Sequence, residues 1–131
     1  MARQNDTQAI FQKYTDITPE AFAKLEKEHG KLKIITVPLM DEDDEDFDPE
    51  VVAKYVLKTN PKRSVLKSIT HYASQTPPNF SKVEQLSEKE ILLGGDLEYL
   101  DEEVGSHGVY MAVQSAIGKI AKGRTAKVGK R

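Results

Sequence analysis

Apolar residues along this chain change their spacing several times, and each change marks an element. Thr18-Pro19 reads as a helix start, a threonine cap followed by a proline at the first helical position, where a missing N–H costs nothing. The helix runs through Phe22 and Leu25 and stops at Gly30. From Lys31 the period shortens to two. Leu32, Ile34 and Thr36 alternate with Lys33, Ile35 and Val37 up to Pro38, and Val52 to Thr59 repeats the pattern, with Ala53, Tyr55 and Leu57 on one face and Lys54 and Lys58 on the other. Two such runs predict an antiparallel hairpin that lays one face on helices, since a lone hairpin is marginal in water.

Asn60-Pro61 repeats the cap-and-proline start, and Val65, Leu66, Ile69, Tyr72 and Ala73 form one helical stripe. Thr76-Pro77-Pro78-Asn79 interrupts it, and Asn79 caps a third helix carrying Phe80, Val83 and Leu86. Ser87 to Glu90 has capping-box spacing, which predicts a break or restart before Ile91-Leu92-Leu93, with Gly94-Gly95 as the stop. After a turn from Gly105 to Gly108, Val109, Val113, Ala116, Ile117 and Ile120 make the cleanest amphipathic stripe in the chain, closed by Gly123. The expectation is an α+β fold: a small, helix-dominated domain of four to five helices with an antiparallel β-hairpin. Residues 1–16 form an N-terminal arm, 17–122 a single globular domain, and 123–131 a basic flexible tail.

Charge refines this picture. The 131 residues carry 19 basic and 21 acidic side chains, a formal net charge of −2, which favours no polyanionic partner in bulk. The charges are segregated, however. Eight of the ten residues from Asp41 to Glu50 are acidic, whereas Lys119 to Arg131 holds six basic residues and no acid. Like charges repel and stay hydrated, so the first block reads as a solvated loop (40–50) and the second as a tail. No apolar run approaches the roughly 20 residues of a membrane span, and the polar start lacks a secretory signal pattern.

Candidate chemistry is sparse. With no cysteine there is no disulfide, thiol nucleophile or cysteine-bound metal. The acidic loop fails the calcium-binding EF-hand register from Asp41, with Asp46 where glycine belongs and Val52 where a bidentate glutamate belongs; a start at Asp44 places Pro49 and Tyr55 there. His29, His71 and His107 lack metal or catalytic spacing; His29 falls in a last helical turn, His71 on a polar helix face and His107 in a flexible turn. Gly94-Gly95-Asp96 superficially matches the signature of diguanylate cyclases, but reads more simply as a glycine stop followed by a helix-starting acid. The tail offers phosphate contacts without an aromatic for base stacking. No catalytic residue, metal ligand or cofactor is expected.

The order of elements nonetheless has a counterpart. A strand ending Tyr55-Val56-Leu57-Lys58, then Pro61-Lys62-Arg63 opening a helix, then Glu90-Ile91-Leu92-Leu93-Gly94-Gly95-Asp96-Leu97-Glu98 and a final amphipathic helix resemble phage and prophage tail assembly chaperones over roughly residues 18–121. Two features depart from that family's pattern: the long acidic loop, and Lys62-Arg63 following Pro61 directly. The resemblance implies a non-enzymatic helper in the host bacterial cytoplasm that covers the apolar stripes of the helical tape measure protein, or of other tail proteins. A groove between the helix from Pro61 and the helix from Val109 would serve, with Val65, Ile69, Tyr72, Val109, Val113, Ile117 and Ile120 as partner-binding residues.

Two other readings compete with it. A structural virion subunit, such as a connector or tail-completion protein, would dock through Asp41, Asp43, Asp44 and Asp46 on one copy and Lys122, Arg124, Lys127 and Arg131 on the next, giving a homo-oligomer. A small regulator with a nucleic-acid-binding tail is the weaker alternative.

Overall fold

In the computed structural model, residues 11–123 are described. Four α-helices and a three-stranded antiparallel sheet make up a small α+β domain, as the pattern predicts. The helices are α1 (Pro19–His29), α2 (Arg63–Ala73), α3 (Phe80–Ile91) and α4 (His107–Lys122); the strands are β1 (Leu32–Pro38), β2 (Val52–Lys58) and β3 (Leu92–Gly95). Single 3₁₀ turns lie at Tyr14–Asp16 and Leu97–Leu100. Two predicted caps form: Thr18 Oγ1 accepts from Ala21 N–H at 3.1 Å and Asn79 Oδ1 from Lys82 N–H at 3.1 Å; a third, not singled out from sequence, is Ser106 Oγ, which accepts from Val109 N–H at 3.3 Å. Gly30 and Gly123 end α1 and α4 at φ of 83° and 82°, in the left-handed region that glycine tolerates.

The sheet corrects the two-stranded prediction. β2 is central, pairing with β1 from Leu32↔Lys58 to Pro38↔Val52 on one side and with β3 on the other. Leu92 to Gly95, read from sequence as the end of a helix, is that third strand. Nor is there a helical restart at Ser87: α3 is continuous, Ser87 is buried within it, and Glu90 is engaged elsewhere. α2 starts two residues beyond Pro61, with Lys62 at its cap and no side-chain cap bond, so Asn60 does not cap it. His107 is the first residue of α4 and does not belong to a turn.

The sheet is covered on both faces, not one. Ile35, Val37, Ala53, Tyr55, Leu57 and Leu92 meet Ile91 of α3 and Val109, Val113 and Ile117 of α4 in the larger core. On the opposite face Leu32, Val56 and Leu93 meet Leu25 of α1, flanked by Phe11, Tyr14, Ile17 and Phe22. Val56 is therefore fully buried although it alternates in phase with Lys54 and Lys58. The segment from Phe11 to Asp16, placed in the N-terminal arm on sequence grounds, is seated on this face: Phe11 bridges Gly94 in parallel, and its carbonyl accepts from Gly95 N–H at 3.3 Å.

Asp96 joins these layers. One carboxylate oxygen accepts from Tyr14 N–H at 3.0 Å and the other from Lys54 N–H at 2.8 Å, while its carbonyl accepts from the Tyr55 hydroxyl at 2.8 Å. The preceding Gly95 has φ of 143° and lies so close to β2 that a Cβ would stand 2.4 Å from the Lys54 carbonyl and 2.7 Å from Tyr55 Cα. Asp96→Ala orphans two amides whose charge-assisted bonds are worth roughly 1.5–3 kcal/mol each, so it is expected to cost about 3 kcal/mol or more. Asp96→Asn, which keeps one acceptor oxygen, costs less. Urea unfolding of the two variants checks the order; equal stabilities would remove Asp96 from this role.

Candidate partner-binding surface

The residues nominated for partner binding divide into core and surface. Val109, Val113 and Ile117 are 3%, 0% and 1% exposed and belong to the larger core, so they hold α4 to the sheet and present nothing to a partner. Ile120 is half-buried against the same core. The groove expected between α2 and α4 is filled: α2 packs on α3, and α3 packs on α4.

α2 is a different case. Its stripe lies outside both apolar clusters of the sheet, with Ile69 buried and Val65, Leu66 and Tyr72 half-buried. Tyr72 carries the Lys82 ammonium 5.9 Å from its ring centre and the His71 ring edge-on at 5.2 Å. The Tyr72 carbonyl accepts from Asn79 N–H at 3.0 Å, and the next residue, Phe80, is 67% exposed. The α2–α3 hairpin thus carries an apolar seam of which α2 supplies one side, ending in an uncovered aromatic ring.

The charged residues lie where solvation dictates. Asp41, Asp43, Asp44 and Asp46 are exposed in the β1–β2 connection, and Lys122 is exposed at the end of α4. Arg124, Lys127 and Arg131 lie outside the described residues. The acidic loop is organised by its own backbone: Asp44 Oδ2 accepts from Asp41 N–H at 3.2 Å, and Asp48 Oδ1 from Glu50 N–H at 2.9 Å. Carboxylate oxygens of Asp41, Asp43 and Asp44 come within 4.8 Å of one another, on three exposed residues. His29, His71 and His107 are spread over three helices. A cleft of about 650 Å³ opens between α3 and the start of α4, lined by Leu92, Leu97, Leu100, Lys89 and Tyr110 among others. Burial pushes the Tyr110 hydroxyl pKa up, and the negative charge of Glu84 and Glu88 adds to the shift.

A buried ion pair is the feature that sequence reasoning missed. Lys58 Nζ donates to Glu90 Oε2 at 2.6 Å, with 7% and 9% of the two side chains exposed, and the same oxygen accepts from Lys62 N–H at 2.7 Å. Glu90 therefore ties the end of β2 and the entry of α2 to α3. Its burial by itself raises the carboxyl pKa, but the bonds from Lys58 and Lys62 outweigh that and hold it below the ordinary glutamate value. A lysine alternating with inward residues of a strand was the only available signal, and it reads equally well as a solvated face.

Among the described residues no helix is long and apolar enough to cross a membrane. Comparison with known protein families, with curated proteins and with solved structures finds no match.

The ion pair has a testable pH signature. A carboxyl whose folded pKa is depressed contributes stability that is complete above its unfolded value, about 4.3, and is lost as pH falls through the lower folded value. Glu90→Gln leaves the Lys58 ammonium buried without its counter-charge and is expected to cost about 3–5 kcal/mol at neutral pH. The gap in melting temperature between wild type and variant should narrow as the pH drops below the glutamate range. A gap independent of pH would mean that the pair is not coupled to folding.

Proposed function

We propose that this protein is a non-enzymatic tail assembly chaperone that binds the helical tape measure protein during phage tail morphogenesis, in the host cytoplasm. The observation that carries the reading is that the segments resembling that family meet in space. Glu90 reaches Lys58 and the backbone of Lys62, while Gly94, Gly95 and Asp96 lie against Val56, Tyr55 and Lys54. The short motifs thus act together as the junction that sets α2, α3 and β3 around the central strand.

The surface best suited to a helical client is the seam of the α2–α3 hairpin. Apolar side chains at helical spacing recognise another amphipathic helix by covering its stripe, and Val65, Tyr72 and Phe80 retain area for this after folding. Lysines at Lys67 and Lys82 flank them and favour a client with acidic positions beside its apolar stripe.

A tagged full-length chain, expressed with the neighbouring phage proteins, is expected to recover a very long helical protein and to be missing from purified particles. Phe80→Ser, at a ring already in solvent, should sharply reduce that recovery while leaving the thermal unfolding midpoint nearly unchanged. Ile117→Ala, in the core, should instead cost about 2–5 kcal/mol of stability. Stoichiometric presence in finished particles would overturn the chaperone reading in favour of a structural subunit.

A further inference from the structure

Among the described residues, the outer face of α4 is unlike the surfaces of the other three helices. α1 shows solvent Glu20, Lys24, Lys27 and Glu28; α2 shows Arg63 and Lys67; and α3 shows Glu84 and Lys89. Along α4 the exposed positions from Gly108 to Gly118 are Gly108, Met111, Ala112, Ser115 and Gly118, with no charge among them in a chain that is 31% charged. Met111 is 52% exposed.

Among the described residues, nothing packs closely enough on either glycine to require it. Glycine within a helix is unfavourable relative to alanine, and such a cost is normally offset where a neighbour needs the space. A Cβ at Gly118 would meet nothing within 4 Å, and one at Gly108 only the Ser106 hydroxyl at 3.9 Å. The space is kept open toward the outside, where it lets a second helix approach closely.

Charge identifies that second helix. α4 begins beside acids: Glu102 and Glu103 lie exposed in the turn before it, and Asp41 and Glu42 share a shallow hollow with Gly108 and Val109. It ends in exposed Lys119 and Lys122. The first turn of α4 holds no acid of its own, but with these loop acids beside its start and lysines at its end the helix is complementary to its own antiparallel copy. With the two-fold axis at Ser115, Lys122 of one copy reaches the Gly108 end of the other, Lys119 lies over Met111, and Ala112 sits against Gly118. Each copy makes the same contacts, which is the requirement for a closed two-fold pair.

We infer that this face of α4 is a self-association surface, and that two copies of the chain dimerise through antiparallel α4 helices. The inference goes beyond the chaperone reading and does not rest on it, because it needs no phage partner. The test uses the full-length protein alone, by sedimentation over a range of concentrations at low and high salt. A concentration-dependent dimer that weakens as salt rises is expected. Ser115→Glu, which sets two like charges on the axis at a position already in solvent, should abolish the dimer with the helical circular dichroism unchanged and with the melting midpoint of wild type diluted to monomer.

The register has its own readout. The chain has no native cysteine, so Ser115→Cys should cross-link to a covalent dimer on mild oxidation, whereas Lys24→Cys on α1 should not. A monomer at every concentration, or equal cross-linking of both variants, overturns the inference. So does a dimer that Ser115→Glu leaves intact. If the chain is monomeric but Ser115→Glu abolishes capture of a tail protein, the face belongs to that partner and the self-association is likewise overturned.

Discussion

The fold depends on one carboxylate. Asp96 bonds the backbone of the N-terminal segment and the backbone of the central strand simultaneously, and its own carbonyl takes the hydroxyl of the buried Tyr55. Burial and the nearby Asp96 charge raise the Tyr55 pKa, so the phenol stays protonated as a donor. The arrangement is possible only because Gly95 lets the chain pass within contact distance of β2. β3 is a four-residue strand, too short to hold by its ladder alone, and this polar knot fixes it in place. With β3 fixed, the sheet acquires a third member, and both faces of Tyr55-Val56-Leu57 are covered.

That two-sided burial explains how much of the fold was legible. Helix starts at Thr18 and Asn79 and stops at Gly30 and Gly123 depend on neighbouring residues, so local sequence specifies them. Tertiary constraints were not visible in the same way. Leu92-Leu93 follows a helical pattern without interruption, and nothing local distinguishes a helix end from a buried edge strand. Val56 falls out of phase with the alternating face and was silent for that reason. Ser87 to Glu90 had the spacing of a capping box, but Glu90 spends its carboxylate on Lys58 and Lys62 instead. Asp96 reads from sequence as a helix-starting acid, but it makes no side-chain cap bond to the 3₁₀ turn that follows, and its partners lie 82 and 42 residues away.

The surface was less legible than the core, for a physical reason. An amphipathic stripe announces that it will be covered, but not by what. The α4 stripe turned inward to the sheet, whereas α2 covers α3 and leaves part of its own stripe over. The two stripes have similar composition; only the order of packing separates a core face from a binding face. The segregated charges were plain in the sequence, and the acids of the β1–β2 connection do stand in solvent.

The Phe11 bridge also bears on the order in which the chain becomes a protein. Phe11, Gln12 and Tyr14 form their backbone bonds with Gly95, Leu97 and Asp96. On a ribosome this segment has none of these partners until residues 95–97, some 80 residues further along, have been made. β1 and β2 can pair early, but the face holding Val56 stays uncovered on that side until residues 92–97 emerge. Residues 92–97 thus close over a segment made long before them, and the nascent hairpin must stay soluble in the interval, a task for which the acidic connection between its strands is well suited.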